Sequence, residues 1–295
     1  MRMGKADKIA PHVRPEYEVT DVAAAQFGEV QRPLSMFERI WNVTGVRRFV
    51  VVASLAIAWE LYARYLNNPL MFPPFSEVVE AFYLAFAKGP LFGRMLTTLQ
   101  VLLIGYGCGL ALAAVFTTLA VSTRFGNDLL STLTAMFNPL PAIALLPLAL
   151  LWFGLGIPSL VFVIVHSVLW AVALNTHTGF KSVSDTLRMA GQNYGLTGVR
   201  YVMAILIPAA FPSILAGLKI GWAFAWRTLI AAELVFGVSA RSGGLGWYIF
   251  ENRNLLETAN VFAGLLTVIV IGLFVEGVIF RAIEARTVRR WGMQR

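Results

Sequence analysis

The sequence predicts an all-α integral membrane protein of about six membrane-crossing helices, with a short cytoplasmic helix between the fourth and the fifth. Three observations carry this. Of 295 residues, 58% are hydrophobic and only 14% charged; mean hydropathy is +0.69; and apolar stretches of membrane-crossing length recur along the chain. The formal net charge of +8 would suit nucleic acid only if the basic residues gathered on a soluble face, and they do not. A lone cysteine, Cys108, argues against an internal disulfide, and three His at no ligand spacing argue against a zinc site.

Residues 1–48 read as a cytoplasmic tail. Met1 to Val30 carries Pro and charges of both signs without a long apolar run, and it lacks the order of a signal peptide, so removal is not expected. From Pro33 to Arg48, the apolar Leu34, Met36, Phe37, Ile40, Trp41 and Val43, flanked by Arg39, Arg47 and Arg48, suit a helix lying in the membrane interface. The transmembrane domain is placed at 49–284 and a basic cytoplasmic tail at 285–295.

A helix needs about 20 apolar residues to cross. Phe49 to Leu66, Leu96 to Val121, Leu129 to Phe153, Ser159 to Thr178, Ile207 to Phe236 and Ala259 to Arg281 qualify. Pro139, Pro141 and Pro147 interrupt the third, and with Gly154 they could form a kinked segment that opens and closes a pathway. Pro208 and Pro212 stand near the start of the fifth, which is too long for one straight crossing. With the N-terminus inside, 17 Lys and Arg fall on the inner side and four, Lys88, Arg94, Arg241 and Arg253, on the outer. That asymmetry places both termini in the cytoplasm and assigns the basic charge to topology.

Charges inside spans are costly and should face protein or water. Lys219, Trp226 and Glu233 recur every seven residues, within about 40° of one another on a helix, and Arg227 is turned about 100° from Trp226. They mark an interior stripe. It either lines a translocation path or dimer contact, with Arg227 offering positive charge to an oxyanion, or holds structural ion pairs. Glu60 and Arg64 are spaced to pair. Glu276 is expected to face the bundle interior, and His166 to make a hydrogen-bonded helix contact. Gly105, Gly107 and Gly109 sit inside an apolar span and permit close helix approach; they do not form a nucleotide loop.

Between spans four and five, Asp185 to Gly195 mixes polar and apolar residues at helical spacing, Gly195 breaks the helix, and Pro208 leads back into the membrane. A short helix so held can transmit a push. Gly195, nine intervening residues, then Ile205-x-Ile207-Pro208 resembles the coupling motif of bacterial ABC importer permeases, Glu-Ala-Ala, three residues, Gly, nine residues, Ile-x-Leu-Pro. Asn193 to Thr197 with Ile207 to Ile214, Pro141 to Gly156, and Trp226 to Glu233 with Gly243 to Gly246 are similar to the nitrate/sulfonate/taurine/bicarbonate group. The family's Glu falls on Met189 and its second Ala on Gly191, so an ionic contact there does not carry over.

The resemblance implies a type I ABC importer transmembrane domain in a multi-pass bacterial inner-membrane protein. It implies a homodimer, a cytoplasmic ATPase dimer and an extracytoplasmic solute-binding protein as partners. It places ATPase coupling at Met189, Ala190, Gly191, Gly195, Ile205 and Pro208, while the helix breakers and the interior stripe place the translocation path at Pro141, Pro147, Trp226, Arg227 and Glu233. No GxxxxGK[ST] pattern occurs, so no cofactor is expected on this chain, and ATP and Mg belong to the partner ATPase. An organic sulfonate such as taurine is the favoured substrate. Nitrate, bicarbonate or a small aromatic or pyrimidine compound is the alternative within the same importer type. An ion-coupled secondary transporter is the alternative class. A membrane-embedded enzyme would need a convergent catalytic set that the sequence does not display.

Overall fold

The computed structural model describes residues 35–236 and 243–290, and every regular element among them is helical. The chain divides into two compact units between Leu55 and Ala56. In the first, α1 (Met36–Trp41) opens with a reciprocal cap: the Glu38 backbone N–H donates to Ser35 Oγ at 3.2 Å, and the Ser35 N–H donates to Glu38 Oε2 at 2.8 Å. Then α2 (Thr44–Leu66) starts, and its portion in this unit exposes Phe49, Val51, Val52 and Leu55. A helix apolar on all sides reads as one that meets lipid. The tail 1–34 and the side chains of Met36, Phe37 and Ile40, on which the interfacial-helix expectation rests, lie outside the described residues.

Five helical stretches are long and apolar enough to cross a membrane: Thr44–Leu66, Leu91–Ser122 (α4), Ile157–Lys181 (α7), Gly198–Val235 and Thr258–Arg286. The expected Leu129 to Phe153 span is instead a sharply bent pair of helices. Arg124–Phe137 (α5) and Ala142–Phe153 meet at 87°. The cause is local. Pro139 and Pro141 offer no N–H to continue a helical ladder, and Pro141 itself sits at ψ 120°. A 3₁₀ turn, Ala142–Leu145, then leads into α6 (Leu146–Phe153), where Pro147 occupies the first turn, a position that requires no N–H.

The fifth crossing begins at Gly198 and not at Ile207. It comprises α9 (Gly198–Tyr201), a π turn over Val202–Leu206, and α10 (Ile207–Phe236). Pro208 cannot donate to the carbonyl four residues back, and just before it the Ile207 N–H reaches the Val202 carbonyl five back. The last crossing has the same construction: α12 (Thr258–Phe274), a π turn over Val275–Phe280, and α13 (Arg281–Arg286). Glu276 is exposed on this turn and does not face the interior.

α7 is the central helix of the second unit, flanked by α4 and α10. The glycine steps of α4 set the first contact: a Cβ on Gly105 would stand 2.7 Å from Ile164 Cγ2, and one on Gly109 2.7 Å from Val168 Cβ, whereas nothing lies within 4 Å of Gly107. Gly105→Val is therefore expected to cost about 1–3 kcal/mol by overpacking and to lower the thermal midpoint of the purified protein. Gly107→Val should leave that midpoint in place, and equal loss in both would refute the packing account.

Outside the central bundle, α3 (Phe75–Ala87) is anchored by the end of α2. Glu60 pairs with Arg64 at 2.7 Å, as the spacing predicts. It also accepts from the Ser76 N–H and hydroxyl, both at 3.0 Å, at the α3 N-terminus. Trp59 donates its indole N–H to the Pro73 carbonyl at 2.9 Å and packs on Phe72, Phe75 and Phe262.

Candidate functional site

Two places gather the residues singled out in the sequence, one beyond the end of α7 and one at the bend after α5. The first is α8 (Asp185–Asn193). Arg188 ties it to α7 by donating to the carbonyls of Phe180 (2.5 Å) and Val183 (3.1 Å), which caps the preceding helix with positive charge. Its far end closes in a Schellman motif. Gly195 takes φ +71°, its N–H donates to Gln192 O (2.8 Å), and the Leu196 N–H donates to Gly191 O (3.1 Å). Gly191 is buried against the next turn of chain, and a Cβ there would stand 3.0 Å from Ile205 Cγ1 and 3.1 Å from the Tyr201 ring. Gly191, Gly195 and Ile205 thus fix one corner, with Pro208 at the start of the membrane helix that follows. Met189, together with Leu187 and Tyr194, is exposed, Met189 on nearly the opposite side of this short polar helix from the other two; Ala190 is half-buried.

The second place is a cavity of about 320 Å³ at the 87° bend. Pro139 and Pro141 line it from the break, His166 and Trp170 from α7, and Phe224 and Arg227 from α10. Arg227 does not share the interior stripe. It is exposed, its Nε–H donates to Ala223 O at 3.1 Å, and its guanidinium lies 5.4 Å over the Phe224 ring. Among the described residues no carboxylate lines the cavity. His166 does not make the expected hydrogen bond. Both ring nitrogens are buried without a partner among the described residues, and its ring meets Phe137 and Trp170 edge-on at 6.2 Å. Trp170 stacks on Phe137 at 5.4 Å, and its buried indole N–H is likewise unpartnered.

Pro147, Trp226 and Glu233 lie away from this cavity. Trp226 is buried in the helix packing. Glu233, 4% exposed, closes a polar knot. The Thr98 hydroxyl of α4 lies 3.0 Å from both its carboxylate oxygens, and its Oε2 accepts the Gly246 N–H at 2.8 Å. Thr98 Oγ1 in turn accepts the Leu245 N–H at 2.7 Å. Together they satisfy the first two free N–H groups of α11 (Leu245–Asn254). A Cβ on Gly246 would stand 2.6 Å from that of Glu233, which accounts for the glycines after the fifth span. The remaining charge of the stripe, Lys219, pairs with Glu284 at 2.7 Å. Thr98, Trp170 and Phe137 carry no local signal of these roles, since their partners come from distant segments.

Comparison with known proteins follows the same ground. Residues 105–289 match the family described as binding-protein-dependent transport system inner membrane component. A putative ABC transporter permease of Methanocaldococcus jannaschii is 31% identical over 78% of this chain and 87% of its own length. The taurine transport system permease protein of Escherichia coli is 28% identical over 75% of this chain and 81% of its own. The nitrate import permease protein of Synechocystis is 26% identical over 83% and 90%.

Proposed function

The chain belongs to the binding-protein-dependent transport system inner membrane components, and from that premise we propose that it forms the translocation path of an ATP-driven importer for a small oxyanion, an organic sulfonate before nitrate or bicarbonate. The single observation that carries the oxyanion reading is Arg227, a positive charge on a cavity without a carboxylate in the bundle. In this reading two copies of the chain enclose the path, two ATPase subunits bind ATP and Mg on the cytoplasmic side, and a solute-binding protein delivers substrate from outside, with both termini in the cytoplasm. The exposed Leu187, Met189 and Tyr194 meet the ATPase by apolar contact, where the common family motif has a Glu. Closure of the ATPase dimer pushes α8, and the Gly191 to Ile205 contact passes the push into the fifth span. The path runs by the broken third span, with Pro141 and Arg227 at the cavity and Pro147, Trp226 and Glu233 holding the wall behind it.

The test is ATP hydrolysis and uptake in proteoliposomes holding this chain, its co-purifying ATPase and a candidate binding protein, screened with taurine, alkanesulfonates, nitrate and bicarbonate. Stimulation by one of these supports the reading; movement of solute down an ion gradient without any ATPase would replace it. Arg227→Ala should depress uptake at least tenfold, as expected for loss of a charge-assisted contact, while expression and assembly stay near normal. Parallel loss of all three would make Arg227 a structural residue.

A further inference from the structure

At the end of the bundle where α8 sits, two hollows meet along the last turn of α4. One, of about 580 Å³, lies among the start of α5, the end of α7 and α8. Three basic side chains line it, Arg124, Lys181 and Arg188, against one carboxylate, Asp128. Among the described residues none of the three has an acidic partner: the ion pairs join Glu60 to Arg64, Arg94 to Glu251, and Glu284 to Lys219 and Arg289. Arg124 and Lys181 are exposed. Arg188 is half-buried and spends Nε and Nη2 on the carbonyls of Val183 and Phe180, which leaves Nη1. The Asn127 amide donates to Asp128 Oδ1 at 3.0 Å, and its Oδ1 meets His177 Nε2 at 3.0 Å. α5 begins at Arg124 and adds the positive end of its dipole.

The other hollow, of about 320 Å³, is a groove between α4, α7 and α10, and no charged residue lines it. Its wall is mainly apolar, as at Leu110, Phe211 and Leu218, and its polar members are Thr117, Thr118, Ser122 and Thr176. The Thr117 hydroxyl is sealed in the packing, and that of Ser122 turns back to Thr118 O at 2.7 Å. Ala114, Thr118 and Val121 are exposed on α4, so the groove opens on the surface of the chain. Val121, Ser122 and Phe180 line both hollows.

A basic hollow at the helix ends thus continues into an apolar groove along the spans. A phospholipid is divided in the same way, with charge at the bilayer surface and hydrocarbon beneath it. Basic pockets between membrane helices hold anionic headgroups, and a chain in the groove supplies the dispersion contacts that an empty one forfeits. A soluble anion would leave the groove unfilled, and a neutral lipid would leave the excess positive charge unmatched.

We infer that this corner binds one anionic phospholipid, with its phosphate at Arg124 and Lys181, Arg188 beside them, and an acyl chain in the groove. Arg188 belongs to α8, and Leu206 of the π turn lines the same hollow. A seated headgroup therefore ties α5, α7 and α8 together.

The test is native mass spectrometry of the full-length protein, delipidated in detergent with the subunits that accompany it. It is titrated with dioleoyl phosphatidylglycerol, dioleoyl phosphatidylcholine or glycerol 3-phosphate. Phosphatidylglycerol should bind at least tenfold more tightly than phosphatidylcholine, and glycerol 3-phosphate, a phosphate without chains, should not displace it. Arg124→Gln and Lys181→Gln should each weaken phosphatidylglycerol about fivefold and leave phosphatidylcholine unchanged. Ala114→Phe fills the groove, keeps the basic charge, and should weaken phosphatidylglycerol about fivefold as well. Arg200→Gln, a basic change outside both hollows, should alter neither lipid. All four positions are exposed, so the variants are expected to fold. Equal affinity for the two lipids, displacement by glycerol 3-phosphate, parental affinity in Arg124→Gln and Lys181→Gln, or an equal loss in Arg200→Gln would overturn the inference. Neither ATP nor transported substrate enters this measurement, so those outcomes would leave the importer reading standing.

Discussion

Replacing Glu233 by alanine is expected to lower stability by about 1–3 kcal/mol, the range for leaving a buried donor without its partner. The carboxylate accepts from the Gly246 N–H and from the Thr98 hydroxyl, and Thr98 holds the Leu245 N–H. Without it, the start of α11 keeps at most one of those two partners, in a place closed to water. Glu233→Gln retains an oxygen for Gly246 and should preserve most of the stability. Thr98→Val should act on the same network, so the double variant with Glu233→Ala should fall short of the sum of the two losses. The measurement is the thermal midpoint of the purified protein in nanodiscs, read for the single and double variants. Additive effects, or a Glu233→Ala protein as stable as its parent, would show that the knot contributes nothing.

Gly195→Val is expected to leave the protein folded and inserted and to cut ATP-driven uptake to a tenth or less. No atom lies within 4 Å of the position where a Cβ would stand, so the obstacle is conformational: φ +71° costs an ordinary residue about 1–2 kcal/mol. That is too little to unfold the domain, yet enough to open the Schellman closure that orients α8 on Tyr201 and Ile205. Asparagine tolerates left-handed geometry best among non-glycine residues, so Gly195→Asn should retain most of the uptake. ATP hydrolysis and uptake measured on the same vesicles separate loss of coupling from loss of assembly. Wild-type uptake by Gly195→Val would deny the corner a part in coupling.

Most of the fold was legible because a bilayer imposes a strong pattern. The apolar runs and the Gly195 to Pro208 spacing each reflect a local rule, and five spans and α8 stand close to where those rules put them. The misreadings arose where local rules compete. Pro139 and Pro141 promised a kink, but its size, 87°, depends on how α5 and α6 dock. The π turn at Val202–Leu206 leaves no compositional mark, so the start of the fifth span was misjudged. Of the site, Arg227 and Pro141 were visible as an odd charge and a helix breaker. Thr98 lies 135 positions from Glu233, and Trp170 reads as any aromatic in an apolar span. Tertiary packing alone makes those two polar.

The π turns in the last two crossings also have a genetic meaning. Each holds one residue more than an α-helix of the same rise requires, so loss of a single codon within it restores the ordinary ladder and leaves the flanking turns facing as before. Elsewhere in these helices the same loss would rotate everything beyond it by about 100°. The fifth and sixth spans therefore each carry a segment where chain length can change by one without rewriting the packed faces on either side.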